Sequence, residues 1–261
     1  MNIIVCLKQV PGTTDVKIDP ETNTLRREGI KNVVNPFDTY ALEEGVRLRE
    51  RYGGKVTVIS MGPPQAEEML REAISCGADE AVLISDRAFA GSDTLATSYT
   101  LSCAVNKLHD YDLIICGRQT IDGDTGQVGP ELSEMLGLPF VAYVSKVEEV
   151  ADGHMIVERM VEEGHEVIET PLPAVITVVK EINVPRLPSL RGITKSKRAE
   201  MPVWTASGIK VDENRVGLAG SATWVVKVFF PQLVQKGEML EGDPESQVDA
   251  LIEKLRELKI T

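Results

Sequence analysis

At 261 residues with 43% hydrophobic content, the chain can fill a core and is long enough for one large domain, or one domain with an appendage. A formal charge of −12 argues against a general affinity for nucleic acid or anionic membrane, and no apolar run approaches the ~20 residues that span a bilayer. Cysteines 6, 76, 103 and 116 form no CxxC pair, and the three histidines stand apart from them, so no metal site is expected.

The opening residues MNIIVCLKQV lack a basic region followed by a long apolar core and a cleavage site, so Asn2–Leu7 reads as a first strand and the expected location is the cytoplasm. Lys55–Ser60, Glu80–Ser85 and Leu113–Cys116 supply three more short apolar strands. Between and after them lie helical patterns at 38–52, 64–76, 93–108 and 126–137. Asp38 or Thr39 is positioned to cap the first, Pro64 to start the second and Gly77 to end it, and Asp93 to cap the third. Short apolar strands alternating with helices predict an α/β fold, a parallel sheet covered on both faces. Cys6 and Cys116 fall inside strand runs, where cysteine usually packs as a small hydrophobe.

From Val141 the pattern turns β-like. Val141–Val150, Met155–Val161 and Glu166–Ile168 are separated by Asp152-Gly153 and Glu163-Gly164, which are hairpin signals, and Ala174–Val179 reads as a buried strand. Antiparallel strands added to the parallel sheet are therefore expected. Residues 183–236 resist a regular reading: four prolines, a basic cluster (Arg191, Lys195, Lys197, Arg198), Trp204 and the apolar run Trp224–Phe230. An arm lying on another subunit accounts for them better than a flexible tail that exposes its aromatics. Asp243-Pro244 then opens a helix with Val248, Leu251, Ile252, Leu255 and Leu258 on one face.

Four loops follow four successive strands: Lys8–Gly12, Met61–Pro64, Asp86–Thr94 and Gly117–Pro130. In a parallel sheet all four lie at the carboxyl edge, where open α/β sheets hold nucleotides. The last is the richest, with Gly117, Arg118, Gln119, Thr120, Asp122, Gly123, Asp124, Thr125, Gly126 and Gln127 ahead of a helix near Val128. A helix start there offers free N–H groups and a dipole to an anion. Asp122 and Asp124 suit Mg²⁺, a ribose or plain solvent. Gly91 and Ser92 turn the chain before Asp93, Thr94 and Thr97, which reads either as a phosphate site or as an ordinary Asp N-cap. Asn35-Pro36-Phe37-Asp38 reads either as a plain helix start or as a clamp on adenine or ribose. No GxGxxG follows the first strand, no GxxxxGK[ST] occurs, and no catalytic Ser–His–Asp or Cys–His arrangement is legible.

At these residues the chain resembles the β subunit of electron-transferring flavoproteins over essentially its whole length. The most specific match is Val157, Arg159, Glu162, Glu163, Gly164, Glu166 and Ile168 in the spacing V-x-R-x-x-E-E-G-x-E-x-I, followed by Pro173, Val175, Ile176 and Thr177. Asn35-Pro36-Phe37 and the Gly117–Gly129 loop are similar to the family's nucleotide-binding segments, which together with positions matching Cys6, Lys8 and Met61 surround an adenine nucleotide. The resemblance implies a Rossmann-like (adenine nucleotide alpha hydrolase-like) sheet, with an α subunit as partner. It implies a nucleotide-binding domain with a hairpin extension over 1–182, a partner-recognition loop and subunit-wrapping arm over 183–236, and a C-terminal helix over 237–261.

The nucleotide differs between branches of the family: a structural AMP in ordinary members, or a second FAD beside which NADH docks in electron-bifurcating ones. Asp122–Pro130 and Asp86–Thr97 look like the loops of the bifurcating branch, although Gly126 stands where alanine is more usual. That branch implies electrons passing to ferredoxin or flavodoxin and, through the α-subunit FAD, to an acyl-CoA dehydrogenase-type partner. Pro185-x-x-Pro188-Ser189-Leu190-Arg191-Gly192-Ile193 resembles the recognition loop that anchors the dehydrogenase, with Leu190 inserting into the partner and Lys195 nearby. The rival readings are the AMP-binding form, a stand-alone adenine-nucleotide module, and an ATP-pyrophosphatase-like enzyme. The last would carry its phosphate loop after the first strand rather than the third.

Overall fold

A computed structural model describes residues 1–12, 17–18, 25–26, 32–226, 237 and 239–260, the pairs 17–18 and 25–26 by backbone alone. Its first strand, β1 (Asn2–Cys6), is followed by the short β2 (Gln9–Pro11), β3 (Lys17–Ile18), β4 (Leu25–Arg26) and β5 (Asn32–Val34). Then come α1 (Pro36–Tyr52), β6 (Lys55–Met61), α2 (Glu67–Ser75), β7 (Glu80–Ile84), α3 (Thr94–Leu108), β8 (Leu113–Gly117) and α4 (Val128–Leu136). The expected alternation is present. The first helix begins earlier than read, because Pro36 occupies its first turn and Asn35 is the N-cap residue, so Asp38 lies inside that turn instead of capping it. Pro64 opens a single 3₁₀ turn, Pro64–Ala66, ahead of α2.

The long strand β9 (Phe140–Ala151), β10 (His154–Val161) and β11 (Gly164–Pro171) form the antiparallel extension, and β12 (Ala174–Val178) returns to the parallel body. Asp152 and Gly153, with φ of 50° and 77°, make the turn that the Asp-Gly pair announced. One nine-stranded sheet results, in the order β11-β10-β9-β12-β8-β1-β6-β7 with the two-residue β13 (Val203–Trp204) at its far edge. The side-chain period of 2 divides the core in two. Ile3 and Val5 of β1, with Leu7 just past its end, pack with α1 and α2 on one face, whereas Ile4 and Cys6 pack with α3 and α4 on the other.

The stretch that resisted a regular reading holds α5 (Leu190–Arg198), β13, α6 (Ala206–Ile209) and α7 (Gly217–Gly220). These residues return along the chain's own α/β body. Backbone Leu83 N–H and Ser85 N–H donate to Pro202 and Trp204, at 3.0 and 2.9 Å, and Lys107 sits 4.1 Å from the Trp204 ring centre. Trp204 is half-buried; Trp224 is exposed. The remainder of the expected arm, with Phe229 and Phe230, lies outside the described residues. Two compact units divide between Val226 and Lys227. In the second unit α8 (Pro244–Glu257) is capped by Asp243, whose carboxylate accepts from Glu245 N–H and Ser246 N–H at 3.1 and 3.0 Å. No helix of the described residues is long and apolar enough to cross a membrane.

Candidate functional site

β1, β6, β7, β8 and β12 pair in parallel, so the four polar loops do emerge at one edge. At its base lies a buried polar hub. Asn35 is fully buried; its Nδ2 donates to Asp38 Oδ1 and to the Gln119 carbonyl, both at 2.9 Å, and its Oδ1 accepts from Ile121 N–H at 3.2 Å. Lys8 N–H donates to Asp38 Oδ2 at 2.7 Å, and Asn35 N–H returns a bond to the Lys8 carbonyl at 2.8 Å. The end of β1, the start of α1 and the loop after β8 are thereby tied together through one amide and one carboxyl. Gly117 makes this possible: a Cβ there would strike Asp38 Oδ1 and come within 2.7 Å of the Phe37 carbonyl carbon. Burial pushes the Asp38 carboxyl up to about 7, against the donors Asn35 Nδ2, Lys8 N–H and Gly117 N–H, which favour its charge.

Above the hub the loop is cross-braced. Lys8 Nζ pairs with Asp122 Oδ1 at 2.7 Å. Burial opposes the Asp122 charge, but Lys8 outweighs it and holds that carboxyl below its usual range. Arg118 Nε donates to Gln119 Oε1 at 2.7 Å, and Gln119 Nε2 in turn bonds Asp124 Oδ1. Asp124 N–H closes on the Thr120 carbonyl at 2.9 Å. Asp124 and Gly126 both take left-handed backbone, φ 54° and 64°. A glycine meets that demand at 126 more readily than alanine would. A Cβ at Gly123 would make only an ordinary contact, 3.8 Å from Thr120 Oγ1, and Thr125 is exposed. The α4 start at Val128 has no side-chain cap from Gln127, so its N-terminal N–H groups remain available to an anion.

The second helix start is arranged differently. Asp93 Oδ1 caps Ala96 N–H at 3.0 Å, while its Oδ2 accepts from Thr223 N–H and Thr223 Oγ1 at 2.9 and 3.1 Å. Burial raises that carboxyl, and these donors outweigh it, so it sits below its usual range. Asp93 is thus a working N-cap, and Gly91 lies under Leu218 of the returning segment. Thr97 stands on the first turn, its N–H on the Asp93 carbonyl at 3.0 Å. Thr94 Oγ1 lies 3.3 Å from Gln127 Oε1 and 3.1 Å from Glu131 Oε1, and Ser98 Oγ donates to Glu131 Oε2 at 3.0 Å. The starts of α3 and α4 are therefore neighbours. Cys6 and Cys116 face each other in register beneath the edge. Hydrogen bonding to Cys6 and then burial push the Cys116 thiol well up, which fits packing rather than nucleophilic chemistry. Met61 is half-buried against the same core face.

Sequence reasoning overlooked Tyr143, Thr177 and Glu131 at this edge. Tyr143 takes φ 59°, a left-handed conformation that bulky residues rarely adopt and that costs of order 1–3 kcal/mol. It stands where the β9–β12 register shifts, with its N–H on Thr177 Oγ1 at 3.2 Å. Its ring and that of Phe37 lie 5.7 and 5.5 Å from the Arg118 guanidinium carbon. No residue pattern signals a left-handed tyrosine inside an alternating strand.

Away from the edge, Leu190 is the first residue of α5 and is 87% exposed, next to the exposed Leu187 and Val184. Lys195 turns back to this chain, donating to the Ala78 carbonyl at 3.0 Å. The approach to α5 is fixed by Arg186, which bonds Glu43 through Nε at 2.8 Å and Glu50 through Nη1 at 2.7 Å. Among the described residues no group of three or more His, Cys, Asp or Glu side chains is placed to hold a metal.

Fold and edge together define an α/β protein whose parallel sheet presents braced polar loops at its carboxyl edge. A sequence model described as "Electron transfer flavoprotein domain" matches residues 22–208. The chain belongs to the electron transfer flavoprotein family, as a subunit of the β type. It is 52% identical over 256 residues to electron transfer flavoprotein subunit beta of Thermoanaerobacterium thermosaccharolyticum, covering 98% of each chain. It is 49% identical to the subunit of the same name from Clostridium acetobutylicum, again over 98% of each. To subunit CarD of the caffeyl-CoA reductase-Etf complex of Acetobacterium woodii it is 45% identical over the full length of both.

Proposed function

We propose that the carboxyl edge holds FAD and that the protein is the NADH-oxidising, electron-bifurcating kind of β subunit, working with an α subunit. The observation that carries this is the Thr94–Gln127 contact, 3.3 Å, which sets two helix starts side by side. One offers free N–H groups; the other brings Thr94, whose hydroxyl donates to Gln127 and Glu131 in this structure and would turn from them to serve a pyrophosphate. The donors around it fit the rest of an adenine dinucleotide. Asn35 and Asp38 shape the floor, Lys8 and Arg118 bring positive charge to an otherwise acidic chain, and Gly123 leaves room for close approach. When bound, FAD supplies hydride acceptance from NADH and the passage of single electrons, one to ferredoxin or flavodoxin and one through the α-subunit FAD to an acyl-CoA dehydrogenase-type partner. The chain's own groups at this edge position the cofactor and neutralise its charge. Leu190, held out on α5 behind the Arg186 clamp, is the anchor for the dehydrogenase-type partner. Four free cysteines fit a reducing compartment, and we place the protein in the cytoplasm.

One observation favours AMP in the same place. Asp93 already caps α3 and is covered by Thr223, which leaves the α4 start to serve a single phosphate. Extraction of the purified heterodimer and counting of its flavin and AMP separates the two readings. Two FAD and no AMP per heterodimer is the expected result; one FAD with one AMP refutes the proposal.

A further inference from the structure

We infer that Tyr143 is a positioning residue of the nucleotide edge: it holds the Arg118 guanidinium against Phe37 and thereby fixes the shape of the 117–126 loop. The inference rests on reading that edge as a nucleotide site, but its geometry is independent of which nucleotide binds.

Three neighbouring strand ends deliver the parts. β8 ends at Gly117, and Arg118 N–H bonds the Val178 carbonyl of β12 at 3.0 Å. Thr177 of β12 receives Tyr143 N–H through its hydroxyl, and Val179 N–H bonds the Val144 carbonyl at 3.1 Å. This network pins Tyr143 at φ 59° on the bulge of β9. The strain is not offset by burying the ring, which is 46% exposed. Its partner is a cation: the Arg118 guanidinium lies over both the Tyr143 and the Phe37 ring, within the reach of a cation–π contact with each. From Arg118 the restraint runs through Gln119 to Asp124, itself left-handed, and so across the exposed tip of the loop. A backbone outlier at a candidate site, with an aromatic ring spent on one arginine, is the pattern of stored strain that pre-organises binding. It also connects the antiparallel β9–β11 extension to the nucleotide loop.

The bulge alone would place Val144 in the core whatever residue preceded it, so the test must separate backbone from ring. Tyr143→Gly satisfies the left-handed φ and removes the ring, whereas Tyr143→Phe keeps the ring. Both variants, together with Arg118→Ala and the double variant Arg118→Ala/Tyr143→Gly, are made in the full chain with its α subunit. Three quantities are read: melting temperature, hydrogen exchange of peptides covering 117–126, and the Kd for AMP and for FAD. Tyr143→Gly should melt no lower than wild type, exchange faster in 117–126, and bind nucleotide about tenfold more weakly. Tyr143→Phe should match wild type within about twofold, and the double variant should be no weaker than Arg118→Ala alone. A Tyr143→Gly protein that exchanges and binds like wild type overturns the inference, as does full additivity in the double variant. If wild type binds neither AMP nor FAD, the nucleotide reading fails instead. Exchange then decides alone: a loosened loop in Tyr143→Gly supports the positioning role, and an unchanged one refutes it.

Discussion

The buried Asp38 carboxyl gives the sharpest handle on the hub beneath the loops. Burial raises it from 3.8 to about 7, so the folded protein binds a proton here more tightly than the unfolded chain does. Its contribution to stability is therefore complete below about pH 4 and is lost as pH rises through 7. The interval corresponds to about 4 kcal/mol at about 1.36 kcal/mol per pH unit. Asp38→Asn abolishes that dependence but turns one amide N–H toward a donor, Lys8 N–H or Asn35 Nδ2, at a cost of about 1–3 kcal/mol. The variant should accordingly be the less stable protein at pH 5 and lose that deficit, or reverse it, by pH 8. Urea denaturation midpoints of both proteins at pH 5, 6, 7 and 8 measure this directly, because subtracting the curves cancels every other titrating group. Parallel midpoint profiles would refute the reasoning and mean that the three donors keep Asp38 ionised throughout.

Gly117→Ala drives a methyl group into Asp38 and the Phe37 backbone, and overpacking of this kind should cost at least about 2 kcal/mol and lower the melting temperature by roughly 5 °C. Arg186→Ala leaves Glu43, whose side chain is only 7% exposed, without its cation. The loss should be about 2 kcal/mol by denaturant titration, below that of a fully buried pair because Arg186 is one-third exposed. Docking of the proposed dehydrogenase-type partner should weaken with it, as the approach to α5 loosens. Leu190→Glu should leave the melting temperature within about 1 °C, since the side chain is 87% exposed, yet reduce partner affinity at least tenfold by calorimetry.

The central strands were legible because both faces of the sheet are buried, which writes Ile3–Leu7 and Leu113–Cys116 as unbroken apolar runs and leaves only the small hydroxyl residues Thr57 and Ser60 to interrupt Val56–Ser60. The hairpins were legible because turn chemistry is local: the first turns at Asp152-Gly153 as expected, and the second at Glu162-Glu163, one residue ahead of the expected Glu163-Gly164, with Gly164 opening β11. Much of 183–226 was not. β13 has two residues, too few for any period, and forms because the edge of β7 offers Leu83 and Ser85 N–H groups to it. α5 contacts the body through Gly192, which sits against the Ser75 carbonyl, so its sequence shows no broad apolar stripe. At the site, residue types were readable and partners were not. Asp93 offered itself as a cap or a phosphate loop, and the cap prevails once Thr223, 130 positions away, covers it. Tyr143 was invisible because backbone strain set by Thr177 and the β9–β12 register is a tertiary property.

Anaerobic addition of NADH to the purified heterodimer tests most directly whether the carboxyl edge holds FAD and takes hydride. Prompt bleaching of flavin absorbance in a protein carrying two flavins is the expected result. A protein with one flavin and one AMP, its spectrum unmoved by NADH, would contradict it.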